Sequence, residues 1–252
     1  MKQRTQPDDG DLLPVIKEIT DNRPTYGYPR VTALLNHQRT EDGLSPVNHK
    51  RVYRIMREND LCLARHTGKS YRQTHDGKVI TMRSDLRWCT DIFGIRCWNG
   101  DFVWVIFVMD CHDREVIRWA ASSVGIKGEL VRDLAAECFD QRFPGHKQVP
   151  HRLGWLSDNG PQFVATETIH FIRSLGITVC TTPAYSPESN GMAEAFVKTF
   201  KRDYVYVNSI PNAEAVLEVL PKWFKDYNEV APHRGLKMMA PRQYREQTTT
   251  AG

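Results

Sequence analysis

The chain has 252 residues, 40% of them hydrophobic and 25% charged, with 34 Lys and Arg against 30 Asp and Glu for a formal net charge of +4. That length suits one large domain or a medium domain plus a small one, and the composition excludes a globally disordered chain. The longest apolar run, Phe102 to Met109, is far too short to span a bilayer and reads as a buried strand. The N-terminal residues hold no apolar stretch, so no signal peptide is expected. Cysteines at 62, 89, 97, 111, 138 and 180 form no Cys-x-x-Cys pair, which argues against a zinc ribbon or a disulfide framework and fits a reducing, cytoplasmic compartment.

Residues 11–63 read as helical. Leu12, Leu13, Val15, Ile16 and Ile19 begin one helix, Pro24 and Gly27 interrupt it, and Arg30 to His37 makes a second. A third is expected from an Asn48 cap to about Asn59. On a 3.6-residue period Val52, Ile55 and Met56 share one face, while Lys50, Arg54 and Arg57 share the opposite one. Residues 47–80 hold eight basic and three acidic groups, a net +5, which leaves −1 for the rest of the chain. The excess positive charge is therefore local, as expected where an anionic partner docks. The bland reading of such a helix is a solvated charged face. Residues 64–84 read as a basic linker.

Beyond Leu86 the pattern changes to β. Leu86 to Cys97 and Phe102 to Met109 flank Asn99-Gly100, a two-residue hairpin signal, and Arg114 to Ala121 is a third strand. A helix is expected over 127–139, a short strand within 151–157, a helix over 161–175 stopped by Gly176, and a strand over 177–180. A long helix capped by Ser186 or Ser189 reaches about Tyr206, and a last helix spans 213–228. This order predicts an α/β fold with a mixed five-stranded sheet flanked by helices, preceded by a small all-helical module.

Three carboxylates stand out. Asp91 lies in an apolar strand, Asp158 follows a short apolar strand, and Glu194 lies on the long helix. A carboxylate in a strand core costs several kcal/mol to desolvate unless something compensates it, on the order of 3–5 kcal/mol for an uncompensated charge. A divalent cation is one compensator, and two such ions clamp the attacking and leaving oxygens of a phosphoryl displacement. Taken singly, Asp158-Asn159-Gly160 is also good turn chemistry, Glu194 is also an ordinary helix glutamate, and Asp91 is also a partner for an arginine. Glu194, Lys198 and Lys201 share one helix face, while Ala193, Phe196, Val197 and Phe200 turn to another that anchors the helix. Asp110 is ambiguous: a two-residue hairpin sets Asp91 across from Val108 and projects Asp110 from the same face as Asp91, as an auxiliary ligand or a strand-end acceptor.

Together these residues resemble the D-D-E transposases and integrases, and closely the second-frame transposase of IS-three-type bacterial insertion sequences. The likeness rests on Trp88, Thr90 and Asp91; on Ser157-Asp158-Asn159-Gly160 with Gln162 and Phe163; and on Tyr185 to Gly191 followed by Glu194, Phe196, Lys198 and Lys201. Upstream, Tyr26-Gly27-Tyr28 and Asn48 to Met56 match the family's helix-turn-helix-like region, and downstream Tyr227-Asn228, Pro232-His233, Leu236 and Pro241 match its tail. The resemblance implies a ribonuclease H-like core over 85–207, a helical DNA-binding module over 10–63, and a C-terminal helix and tail over 208–246. It implies that Asp91, Asp158 and Glu194 bind two Mg²⁺ or Mn²⁺ ions, and that the site cuts a strand at the element end and joins it to target DNA. Lys198, Lys201, Tyr185, Ser189 and Asn190 are then expected on DNA in the core, and Lys50, Arg51, Arg54 and Arg57 in the helical module.

The implied partners are double-stranded DNA, further copies of the chain on that DNA, and the product of an upstream reading frame. The alternatives are a DNA-binding regulator with a scaffold-only core and a ribonuclease H-like nuclease without strand transfer. In the tail, Ala231 and Lys237 stand where the family usually has Arg and Gly.

Overall fold

The computed structural model describes residues 9–64, 81–181 and 190–250, so residues 65–80 of the predicted linker over 64–84 fall outside the described residues. The chain divides into two compact units, Met1–Arg72 with Pro232–Met239, and Gln73–Ala231 with Ala240–Gly252. No helix among the described residues is long and apolar enough to cross a membrane.

The first unit holds α1 (Leu12–Asn22), α2 (Tyr28–Glu41) and α3 (His49–Glu58). Its core is the predicted one: Leu12, Ile16 and Ile19 meet Val31, Leu35, Val52, Ile55 and Met56. Pro29 in the first turn of α2 suits a position whose N–H needs no partner. Asn48 caps α3 as expected, its side chain accepting from Lys50 N at 2.9 Å. The segment 232–239 closes on itself, with His233 N donating to Met239 O and Met238 N donating back to His233 O. Lys237 (φ 56°) and Met238 (φ 65°) are left-handed there. Lys237, where the resemblance implies a glycine, thus holds a conformation that glycine adopts without strain. Lys237→Gly is expected to stabilise the chain by about 1 kcal/mol, read as a higher denaturation midpoint at unchanged slope; a lower midpoint would show that the lysine stem supplies contacts worth more than the strain.

The second unit is built on β1 (Arg87–Arg96), β2 (Phe102–Asp110), β3 (Val116–Ser122), β4 (Gly154–Ser157) and β5 (Thr178–Thr181) in the order β3-β2-β1-β4-β5. β1, β2 and β3 form an antiparallel meander, and β4 and β5 add parallel to β1. Helices α4 (Gly128–Arg142), α5 (Pro161–Val164), α6 (Thr166–Ser174), α7 (Gly191–Phe200), α8 (Ala213–Glu229) and α9 (Pro241–Thr250) complete it. The predicted helix over 161–175 is two helices, because Ala165 is extended at ψ 133°. Gly176 (φ 81°) ends the second, as expected.

Alternation along the strands sorts the sheet into two faces. Cys89, Phe93, Val105 and Phe107 pack with Phe196 and Phe200 of α7 and Trp223 and Phe224 of α8. Trp88, Ile106, Val108 and Trp155 pack with Val131, Leu134 and Cys138 of α4 and Ile172 of α6. Each fully buried aromatic or aliphatic side chain contributes roughly 1.5–3 kcal/mol.

The hairpin corrects the predicted register. Gly100 N donates to Cys97 O at 3.1 Å, Cys97 N donates to Asp101 O at 2.8 Å, and Gly100 takes φ 95°. The loop is therefore three residues, Trp98 to Gly100, with glycine in the left-handed position. The one-residue difference sets Asp91 across from Phe107 and Trp88 across from Asp110. Asp110 then projects from the face opposite Asp91, so it is no auxiliary ligand. It is a strand-end acceptor: its carboxylate takes the N–H groups of Asp85 at 2.6 Å, His112 at 2.7 Å and Asp113 at 3.2 Å.

Candidate active site

β1 and β4 run parallel with Cys89 opposite Leu156. Carried two residues further, that register sets Asp158, just past the end of β4, level with Asp91 on the neighbouring strand. Adjacent strands lie about 4.8 Å apart, and in a parallel pair partners project to the same side. That side is the one bearing Cys89 and Phe93, against which α7 packs. Phe196 of α7 lies 4.3 Å from the ring of Phe107, the residue directly across from Asp91. Glu194 stands two residues before Phe196 and is exposed, as is Asp158. The three predicted carboxylates thus come from two adjacent strands and the helix covering their shared face.

Their charges act on one another. Burial pushes the Asp91 carboxyl up to about 6, Asp158 and Glu194 add to the push, and the Ile92 N–H and Lys201 oppose it. Local bonds hold each aspartate: Ile92 N donates to Asp91 Oδ1 at 2.7 Å, and Gly160 N to Asp158 Oδ1 at 2.9 Å. The turn reading of Asp158-Asn159-Gly160 and its place beside Asp91 are therefore compatible. Among the described residues, no three Asp, Glu, His or Cys side chains already stand around one point as a ready cation cage.

Lys198 is exposed. Lys201 is half-buried, its Nζ 5.7 Å from the Phe93 ring centre. Burial lowers its ammonium from the ordinary value, and the nearby Asp91 carboxylate resists that. The helix continues past Phe200 as a π-helical turn, Lys201–Val205, rather than as α-helix.

Asn190 precedes α7 in the cap position, where Ser186 or Ser189 was expected, but caps no helical N–H. It is buried and donates to Thr90 O at 3.3 Å, tying the start of α7 to the strand residue beside Asp91. Sequence pattern alone marks such a residue as a loop asparagine; only the packing reveals the tie. Asn190→Ala is expected to loosen the start of α7 against β1, read as faster amide hydrogen exchange over the first turn of α7 with a small change in melting temperature. Unchanged exchange there would dismiss the tie as incidental. Tyr185 and Ser189 lie outside the described residues.

In the helical unit, Lys50 and Arg57 are exposed, whereas Arg51 and Arg54 are half-buried and paired with Asp9, a partner that sequence pattern does not reveal.

The integrase core domain family matches residues 82–187 and again 175–241, and an HTH-like domain matches residues 7–69. The chain is 42% identical over 246 residues to the transposase InsD of insertion element IS2D from Escherichia coli K12, covering 97% of this chain and 81% of that protein. It is 45% identical over 190 residues to an uncharacterized protein of insertion element IS136 from Agrobacterium fabrum, covering 75% of this chain and 97% of that one. A chain of the simian T-cell lymphotropic virus intasome, solved in complex with PP2A regulatory subunit B56 gamma, has the same fold, with a TM-score of 0.53 at 15% identity over 92% of this chain and 74% of that one. With its five-stranded ribonuclease H-like sheet and its helical N-terminal unit, the chain belongs to the insertion-element transposases that carry an integrase core domain.

Proposed function

We propose that the chain cuts and joins DNA strands in a metal-dependent reaction at Asp91, Asp158 and Glu194. The observation that carries this reading is the placement of Asp91 on β1, Asp158 just past β4 and Glu194 on the helix covering their shared face, with Asp91 pushed up to about 6 by burial first and by the other two carboxylates in addition. Surplus negative charge on hard oxygen donors suits Mg²⁺ or Mn²⁺, and two ions fit the reading. Asp158 and Glu194 are exposed, and the Gly160 N–H occupies only Oδ1 of Asp158, so Oδ2 and the Glu194 carboxylate remain to complete a ligand set with Asp91. Such ions, when bound, polarise the attacking oxygen and stabilise the leaving one.

The protein groups supply position. β1 and the Ile92 N–H fix Asp91, the Gly160 N–H orients Asp158, and the aromatic anchor of Phe196 and Phe200 holds Glu194 over both. Lys198 and Lys201 hold phosphates flanking the scissile bond, together with Tyr185 and Ser189 of the sequence preceding α7. Lys50, Arg51, Arg54 and Arg57 on α3 hold duplex DNA through its phosphates. No serine or tyrosine nucleophile is needed, because a water or a DNA 3′-hydroxyl attacks directly.

The working form in this reading is an oligomer on DNA, joined by the product of an upstream reading frame, in the reducing cytoplasm. The test is Mg²⁺-dependent cleavage and joining on DNA carrying the element's ends, with the upstream product supplied. Cleavage without joining would reduce the protein to a nuclease. DNA binding with no metal-dependent chemistry would make it a regulator.

A further inference from the structure

We propose that Arg51 and Arg54 form a two-guanidinium phosphate fork whose occupant in free protein is the carboxylate of Asp9, a built-in competitor for DNA. The inference rests on the reading of α3 as a DNA-contacting helix and adds what regulates that contact. Asp9 Oδ1 accepts from Arg51 Nε at 2.7 Å, and Oδ2 accepts from Arg54 NH2 at 2.6 Å, so each oxygen has its own guanidinium. Burial pushes the Asp9 carboxyl up, but the hydrogen bonds and charges of the two arginines outweigh it and hold the group below the ordinary carboxylate range.

A phosphodiester offers the same ligand chemistry: one negative charge shared by two outward oxygens, which planar guanidinium forks bind with directed hydrogen bonds. Arg51 and Arg54 lie one turn apart on α3, at the margin of the face that buries Val52, Ile55 and Met56. Their side chains keep 29% and 25% exposure, and Asp9 keeps 22%, so the fork opens to solvent rather than into the core.

Asp9 is also placed to leave without unfolding anything. Its backbone carbonyl accepts from Leu12 N at 3.1 Å and Leu13 N at 3.2 Å, so the first turn of α1 holds its main chain while the side chain alone occupies the fork. Arg54 has a second acid within reach, Glu58 at 3.6 Å, which keeps its charge partnered when Asp9 swings away. DNA must displace Asp9 before both arginines grip a phosphate. Sequence-independent capture is weakened accordingly, and sites that offer further contacts are favoured.

The test measures binding of the full chain to a fluorescein-labelled 30-base-pair duplex of arbitrary sequence, by anisotropy in EDTA over a range of salt. Asp9→Asn keeps the size and removes the charge; it is expected to bind about 3- to 10-fold tighter and with a steeper salt dependence. Asp9→Glu, which keeps the anion, is expected to stay within about twofold of the unmodified chain. In an Arg51→Ala/Arg54→Ala background binding falls, and Asp9→Asn adds nothing. Should Asp9→Asn melt early, Asp9→Ser removes the carboxylate while keeping the backbone carbonyl that accepts from Leu12 and Leu13. Binding that is tightened by neither change overturns the proposal. EDTA keeps the readout independent of strand cleavage. If Arg51→Ala/Arg54→Ala binds like the unmodified chain, it is the DNA-contact reading of α3 that fails.

Discussion

Asp158→Asn and Glu194→Gln are each expected to bring cleavage and joining to background, a loss of about 10³-fold or more, while leaving the fold intact. Both side chains are exposed and neither belongs to a core cluster, so each substitution changes charge at the site and little else. Each exchanges an anionic carboxylate for a neutral amide, a much weaker ligand for a hard cation. Asp91→Asn is expected to lose activity equally but to melt at a higher temperature in metal-free buffer. Burial first, and the charges of Asp158 and Glu194 after it, disfavour its ionised form, and a neutral amide is relieved of both. The measurements are joining of labelled element ends and thermal unfolding in EDTA. Full activity in either exposed variant would remove that residue from the site, and a lower melting temperature in Asp91→Asn would show that its charge is compensated by the protein itself.

Asp110→Ala is expected to cost about 3–5 kcal/mol. Asp110 is fully buried and receives three backbone N–H groups, from Asp85, His112 and Asp113, which the alanine leaves without acceptors. The damage spreads because those residues carry a charge network. Asp85 accepts from Trp88 Nε1 at 3.0 Å and pairs with Arg142 and Arg245; Glu115 pairs with Arg142 at 2.8 Å and Arg242 at 3.0 Å; Asp113 accepts from Ser84 Oγ at 2.6 Å. Arg242 and Arg245 belong to α9, so this network docks the last helix on the sheet.

The expected readout is a fall of about 6–15 °C in the transition of the catalytic unit. Burial, with Asp113 beside it, pushes Asp110 up to about 8, against the N–H bonds of Asp85 and His112. A folded carboxyl raised above its unfolded value near 3.9 stabilises the fold at low pH and loses that contribution as pH rises toward 8. Melting temperature is therefore expected to decline between pH 6 and 8.5, and less so in Asp110→Asn. An equal decline in both would assign the titration to another group of the network, Asp113 first.

Local pattern made much of the molecule readable. Apolar spacing in α1 and α3 identified the helical core, because a 3.6-residue period leaves few ways to bury Val52, Ile55 and Met56 together. Strand identity followed from the run Phe102 to Met109, and the end of α6 from Gly176 at φ 81°. Residues acting through distant partners were not readable. The Asn99-Gly100 pair signalled a hairpin without its loop length, and one residue of register moved Asp110 to the other face of the sheet. α9 read as tail because Pro241 to Thr250 is polar and its docking rests on Arg242 and Arg245 meeting acids more than a hundred residues away. Asn190 read as a DNA contact, yet its amide lies on Thr90.

Element order, the two hydrophobic periods and the positions of three candidate carboxylates are all legible along the chain. Those are local properties, set by side-chain alternation and turn chemistry within a few residues. The tertiary structure alone decided which carboxylates share a face, through the parallel pairing of β1 with β4, and which charges are already neutralised. Asp9 on Arg51 and Arg54, and Glu115 on Arg142 and Arg242, are pairings across 42, 45, 27 and 127 positions, and no local period constrains ion pairs at such separations.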